Sequence, residues 1–204
     1  MTMPPEAAAA IVVAGRRMDA RGWVPATAGN ISLRLGPGRI AITRSGRHKG
    51  QMTEADVMLV DGEGRALDPA HRPSYETLLH CGIYRRFPEA GAVLHGHSVA
   101  ATVLSRRAGA AIRLAGYELL KAFPGGPTHE TAVDLPVLDN DQDIPRLQAA
   151  LDALWDGTPD APPGYLIRGH GVYVWGPGMD QAMARLEALE FMLLCHLEEG
   201  RHRP

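Results

Sequence analysis

Two histidines stand two residues apart in Leu94-His95-Gly96-His97, and a third lies between glycines in Arg168-Gly169-His170-Gly171. On a strand, side chains at i and i+2 share a face, so His95 and His97 can converge on one ion, with Gly96 leaving room opposite. Neutral imidazole nitrogens bind zinc at about 2.0–2.1 Å, and three protein ligands with an open fourth position is the arrangement of a catalytic site. His170 is the expected third ligand, because a glycine-flanked position inside a strand-like run lets the backbone bend to aim a side chain. The plainer alternative for each is a hydrogen-bonded core histidine. That alternative suits most of the others: His48, His71 and His202 have polar neighbours, and His80 and His196 fall in helix-like stretches. His129 precedes a strand in Thr-His-Glu-Thr and could lie near the site.

A second group of residues has the chemistry of an anion site. Gly29-Asn30, Ser45-Gly46 and Ser74 offer an amide, hydroxyls and backbone N–H groups, the donors that a phosphate needs. Arg44, Arg47 and Lys49 add positive charge nearby. Each alone reads as a turn or a cap, but together they suggest a phosphate subsite. Two carboxylates could move protons or bind metal. Glu118 sits in the apolar Gly116-Tyr117-Glu118-Leu119-Leu120-Lys121, where a helical turn would put Lys121 on the same face. A surface ion pair is the plainer reading there. Glu76 falls early in an expected helix, where a carboxylate also suits the dipole.

The elements that must position these groups follow from periodicity and breakers. Residues 6–20 are Ala-rich and read as a helix stopped at Gly22. Residues 31–35 and 40–43 alternate as a hairpin around Pro37-Gly38, and 53–56 look like a short helical start. Residues 57–60 and 65–67 bracket Asp61-Gly62-Glu63-Gly64 as another hairpin. Ser74 is expected to cap a helix through Tyr84, ended by Pro88. Residues 92–97 form a short buried strand, and Ser98 can cap the next helix. Residues 112–114 are ambiguous, and 117–123 make one or two helical turns closed by Pro124-Gly125-Gly126. Residues 132–138 alternate as a strand, 144–155 have helical spacing, and 156–164 form a Pro/Gly-rich loop. Residues 165–175 read as one strand interrupted at 169–171, and 180–198 as a long amphipathic helix. Hairpins mixed with helices imply a mixed or largely antiparallel sheet covered by helices. With no GxGxxG after a first strand and no P-loop, a doubly wound nucleotide fold is not expected.

The chain is 204 residues long, which suits one domain over 1–204 with a substantial core. Hydrophobic residues at 45% and charged residues at 22% argue against disorder, and a net charge of −2 gives no basic field for nucleic acid. No basic residue precedes the apolar N-terminal run, and no stretch of about 18 apolar residues occurs. No membrane partner and a cytoplasmic home are therefore expected. Cys81 and Cys195 lie in apolar helical stretches outside any CxxC pair and are read as buried free thiols.

Taken together, Ala28-Gly29-Asn30-Ile31-Ser32, Ile42-Thr43-Arg44-Ser45-Gly46, Pro73-Ser74-Tyr75-Glu76, Leu94-His95-Gly96-His97 and Arg168-Gly169-His170-Gly171 resemble the class II aldolase/adducin family of zinc-dependent sugar-phosphate enzymes. The likeness runs from about residue 23 to 200, and its dehydratase branch is nearest. That branch is suggested by His97-Ser98-Val99-Ala100-Ala101-Thr102, by the segment from Gly116 to Lys121, and by Asn140-Asp141-Gln142-Asp143-Ile144-Pro145. The resemblance implies a three-layer α/β/α sandwich with a mixed, largely antiparallel central sheet. It also implies a homotetramer with active sites near subunit boundaries, and one zinc per subunit on His95, His97 and His170. Glu118 would be the acid/base. Asn30, Ser45, Gly46 and Ser74 would bind phosphate, with Glu76 and Lys121 also at the substrate and the role of Glu76 open between ligand, contact and proton carrier. The aldolases of the family use a glutamate matching Glu76 and tyrosines, one in a C-terminal tail. This chain ends Glu198-Glu199-Gly200-Arg201-His202-Arg203-Pro204 without one, which weakens the aldolase or epimerase alternative. A non-catalytic adducin-like module would lack some of the three histidines.

Overall fold

The structure, a computed structural model, describes residues 2–125, 128–156, 158 and 161–201. The readings that touch Gly126, His202 to Pro204 and parts of the 156–164 loop fall outside those residues. Five helices and eight strands follow in the order α1 (Pro5–Ala20), β1 (Asn30–Gly36), β2 (Arg39–Thr43), β3 (Val57–Val60), α2 (Thr77–Arg86), β4 (Ala92–Gly96), α3 (Val99–Arg107), β5 (Ala111–Ala115), β6 (Ala132–Leu138), α4 (Ile144–Asp156), β7 (Gly164–Ile167), β8 (Gly171–Gly176) and α5 (Met179–Arg201). Short 3-10 turns lie at Lys49–Gln51, Glu54–Asp56 and Glu118–Ala122.

Proline in the first turn of α1 suits a position whose N–H would have no helical partner, and the helix buries Ala8, Ile11, Val12 and Met18. The chain leaves α1 through Gly22 at φ 71°, as the glycine stop requires. Ser98 accepts from the Ala101 N–H at 3.0 Å and caps α3 as expected.

The strands form one sheet in the order β3-β2-β1-β4-β8-β7-β6-β5. Every neighbouring pair is antiparallel except β6 and β7. Period-two alternation divides the side chains of β4 and β8 between two cores. Leu94, Val172 and Val174 pack with Ile11 of α1, Leu104 of α3 and Leu186 of α5. Val93, Tyr173 and Trp175 pack with Leu79 and Ile83 of α2 and Leu147 and Leu151 of α4. The result is the expected three-layer sandwich with a mixed sheet.

Three local readings are corrected. Residues 165–175 are not one bent strand but the antiparallel pair β7 and β8, with Ile167 opposite Gly171 and residues 168–170 in the turn. Gly169 takes the left-handed conformation, φ 65°, that such a reversal needs. Helix α2 begins at Thr77, so Ser74 is not its cap; the Ser74 hydroxyl accepts from the Glu76 N–H at 3.3 Å within the preceding turn. Residues 65–67 add only one bridge, Ala66 to Val60, because the Asp61 carboxylate holds the Glu63 and Arg65 N–H groups in a turn. Both cysteines are free as expected, although Cys195 is only half-buried.

Candidate metal centre

At the end of β4, where the sheet meets the β7–β8 turn and the start of α2, Glu76, His95, His97 and His170 each point one ligand atom at a common point. These four atoms lie within 4.8 Å of one another. The ring centroids are 4.4 Å apart for His95 and His97, 5.2 Å for His95 and His170, and 4.8 Å for His97 and His170. The i, i+2 spacing produces this directly, although His97 lies one residue beyond the strand proper.

Each ligand is held from behind. His95 is fully buried, and its Nδ1 lies 2.9 Å from the Val172 carbonyl. A carbonyl only accepts, so Nδ1 carries the hydrogen and Nε2 presents its lone pair to the site. Tyr173, opposite His95 across the β4–β8 pair, stacks on that ring at 3.9 Å and 11°. The His97 N–H donates to the Trp23 carbonyl at 2.6 Å. The His170 turn is fastened to α3: Gly169 N–H donates to Ser105 Oγ at 2.9 Å, and Thr102 Oγ1 to the His170 carbonyl at 3.3 Å. The Arg168 guanidinium donates to the carbonyls of Ser105, Ala108 and Gly109, closing the C-terminal end of that helix. Gly171 is required because a β-carbon there would lie 2.2 Å from the Gly96 carbonyl.

Glu76 receives the Asn30 amide at 2.5 Å on one oxygen, while the other lies 2.9 Å from His170 Nε2 and 3.4 Å from His95 Nε2. Asn30 is placed for this by strand pairing, directly opposite His95. Burial alone would raise the Glu76 pKa, but the close approach of His170 Nε2 and of the His95 ring to its carboxylate outweighs it, so the carboxyl is held far below its ordinary range. Burial, reinforced by His95 and His170, pushes His97 down to about 3. The imidazole is therefore neutral, the form that binds metal. His95 Nε2 and His97 Nε2 are buried with no hydrogen-bond partner among the described residues. Buried polar nitrogens left this way point to a missing partner, and three imidazoles with a carboxylate fit a divalent metal such as zinc.

The other expected site residues fall in three places. Asn30 and Ser74 stand against Glu76, so the Asn30 amide is engaged there. Ser45 and Gly46 lie in the exposed turn after β2. Glu118 and Lys121 form an exposed pair at 3.0 Å, joined by His129 at 3.8 Å, and neither belongs to the four-residue cluster. The sequence reading missed the stacking partner Tyr173 and the Ser105–Arg168 fastening. Alternation in β8 places Tyr173 on the histidine face, but only strand register brings it to His95. It also missed what His80 does: the ring is fully buried, its Nδ1 lies 2.8 Å from Ser32 Oγ, and that hydroxyl also bonds Tyr84 OH at 2.8 Å.

Three imidazoles and a carboxylate gathered at the end of a helix-covered mixed sheet mark an α/β enzyme with a candidate metal-binding site. The chain belongs to the class II aldolase/adducin family: the family model described as Class II Aldolase and Adducin N-terminal domain matches residues 9–197. A protein of Granulibacter bethesdensis named methylthioribulose-1-phosphate dehydratase is 60% identical over 207 residues, covering 98% of this chain and 95% of its own. One of the same name from Gluconacetobacter diazotrophicus is 62% identical over 192 residues, covering 94% and 92%. Among solved structures, an L-fuculose-1-phosphate aldolase from Thermus thermophilus superposes with a TM-score of 0.77 at 26% identity, covering 97% and 96% of the two chains. A sugar-phosphate aldolase from Thermotoga maritima, at 20% identity and a TM-score of 0.72, shares the fold over 98% and 97%. No described helix is long and apolar enough to cross a membrane.

Proposed function

We propose that this chain is a zinc-dependent hydro-lyase that converts 5-methylthioribulose 1-phosphate to 5-methylthio-2,3-diketopentyl 1-phosphate and water, a step of methionine salvage. The observation that carries the reading is the four-residue cluster in a chain about 60% identical, end to end, to proteins named for that dehydration. His95, His97 and His170 would hold the ion, with the Glu76 carboxylate facing the same point. Bound there, zinc would supply Lewis acidity to the ketone of the sugar.

The protein's own groups account for the rest. In the reaction, C3 gives up a proton and C4 loses its hydroxyl as water, and the resulting enol becomes the 2,3-diketone. Glu118 is the proposed carrier of that proton. The hydrogen bond from Lys121, with the charges of Lys121 and His129, holds its carboxyl below the ordinary value, so at neutral pH it is a base. The same carboxylate, once protonated, can deliver the proton to the leaving hydroxyl. Glu118 is exposed, and among the described residues only Lys121 and His129 are its charged neighbours. We therefore assign it to the metal centre of a neighbouring copy in a homotetramer. Asn30, Ser45, Gly46 and Ser74 are the proposed phosphate contacts, and the cytoplasm the proposed location.

The test is to incubate zinc-loaded protein with 5-methylthioribulose 1-phosphate and follow it by proton and carbon NMR. Formation of the diketone with loss of water is expected. Unchanged substrate beside stoichiometric zinc, or cleavage of a carbon–carbon bond, would overturn the assignment.

A further inference from the structure

Three cations follow β2, and only one turns inward. Arg47 pairs with Asp56 at 3.1 Å, and Arg44 donates to the Ala55 carbonyl at 3.3 Å, so both are spent on the neighbouring turn. Lys49 is 1% exposed. Its Nζ donates to the Thr27 carbonyl at 2.8 Å and to the Arg47 carbonyl at 2.7 Å. Among the described residues it has no carboxylate within ion-pairing distance. A buried ammonium with only neutral partners is costly, and its usual remedy is an anion nearby.

The two carbonyls lie beside two of the segments read as anion donors, Gly29-Asn30 and Ser45-Gly46. Thr27 is two residues before Gly29, which is held at φ 82° with a would-be β-carbon 2.7 Å from the His95 carbonyl. Arg47 follows Ser45 and Gly46, the latter at φ 73°. Lys49 thus joins both segments through one side chain. Glu76 favours its charged form, and its charge in turn disfavours protonation of His97.

We propose that Lys49 is the positioning cation of the sugar-phosphate subsite. It pins the 27–30 and 45–47 segments so that their donors face one space, and it supplies the buried positive charge that offsets a phosphate bound there. Burial brings the ammonium down to about 8, against the opposing pull of Glu76, so it still carries its charge at neutral pH. This inference rests on the phosphate-subsite reading of the proposed function, but it can be tested without the sugar.

The test is to titrate inorganic phosphate into zinc-loaded wild type, Lys49→Met and Lys49→Arg, with zinc content and circular dichroism measured on each. Loss of a charge-assisted contact should weaken phosphate binding about 10- to 100-fold in Lys49→Met, and Lys49→Arg should retain most of it. With the sugar phosphate, KM should rise by a similar factor in Lys49→Met while kcat falls less, a split that a merely structural role would not give. Should Lys49→Met not fold, the wild type decides: the 15N-labelled Lys49 ammonium signal, assigned by its absence from Lys49→Arg, must shift saturably with phosphate. Equal phosphate affinity in wild type and a folded Lys49→Met, no phosphate binding by wild type, or an unmoved signal would each overturn the inference. If phosphate binding depends on Lys49 while the methylthio sugar is not turned over, the inference stands and the dehydratase reading falls.

Discussion

Glu76 and Glu118 are two glutamates with basic neighbours in opposite settings. Glu76 is largely enclosed, with one oxygen on Asn30 and the other between His170 and His95. Glu118 is mostly exposed on a short 3-10 turn, tied among the described residues to Lys121 and His129. The first setting suits a group that must stay still: metal affinity depends on donors fixed in advance by their supporting contacts. The second suits a group that must approach and leave a substrate carrying a proton. One residue type thus sits in two settings, and the proposed roles follow from the elements around each.

The largest expected effect lies in the enclosed region. His170→Ala leaves two histidines, and zinc per protomer should fall far below one after dialysis, with activity falling to background. One full equivalent of zinc in that variant, measured by mass spectrometry, would break the assignment of the cluster as the metal site. In the exposed region, Glu118→Gln should keep its zinc and lose about 10²- to 10⁴-fold in kcat. Near-full turnover would remove Glu118 from the chemistry.

A smaller effect separates the two regions by pH. His80 and His97 are pushed by burial to about 3 from 6.5. Between those values the unfolded chain takes up protons that the folded chain refuses, so stability of the zinc-free protein is whole above that window and declines as pH falls through it. Glu76 adds in the same direction, since its depressed carboxyl contributes stability that acidification removes. The urea midpoint of zinc-free protein should therefore drop from about pH 7 to about pH 4, and Glu118→Gln should follow the same curve. A flat curve in this range would contradict the burial argument. The smallest effect is expected for Lys121→Ala. An exposed ion pair is worth little, so its thermal midpoint should match wild type even where kcat changes, and a clear loss of stability would show that the exposed pair is structural.

Much of this division is legible in the chain itself. The His95–His97 spacing is local, and a strand converts it into convergence without further information. The Ser98 cap and the stop at Gly22 are equally local. What the sequence does not display is pairing over distance. The β7–β8 reversal is hidden because Tyr165 to Trp175 stays apolar on both sides of the turn. That Asn30 meets Glu76, and that Tyr173 covers His95, depends on the register of β1 and β8 against β4. Lys49 reads as one of three cations near the anion-donor segments, and only the fold shows that it is the buried one. The turn before α2 misleads for a related reason: Ser74 has the residue type of a cap but serves the Glu76 N–H instead.

The central claim is that metal holding and proton transfer reside in separate regions that meet between copies. Co-expression of His170→Ala with Glu118→Gln tests it directly, since each variant lacks what the other retains. Mixed assemblies purified through two different tags should regain turnover well above either variant alone, because some sites pair an intact cluster with an intact Glu118. Mixed assemblies as inactive as the two parents would contradict the account and place both functions within one chain.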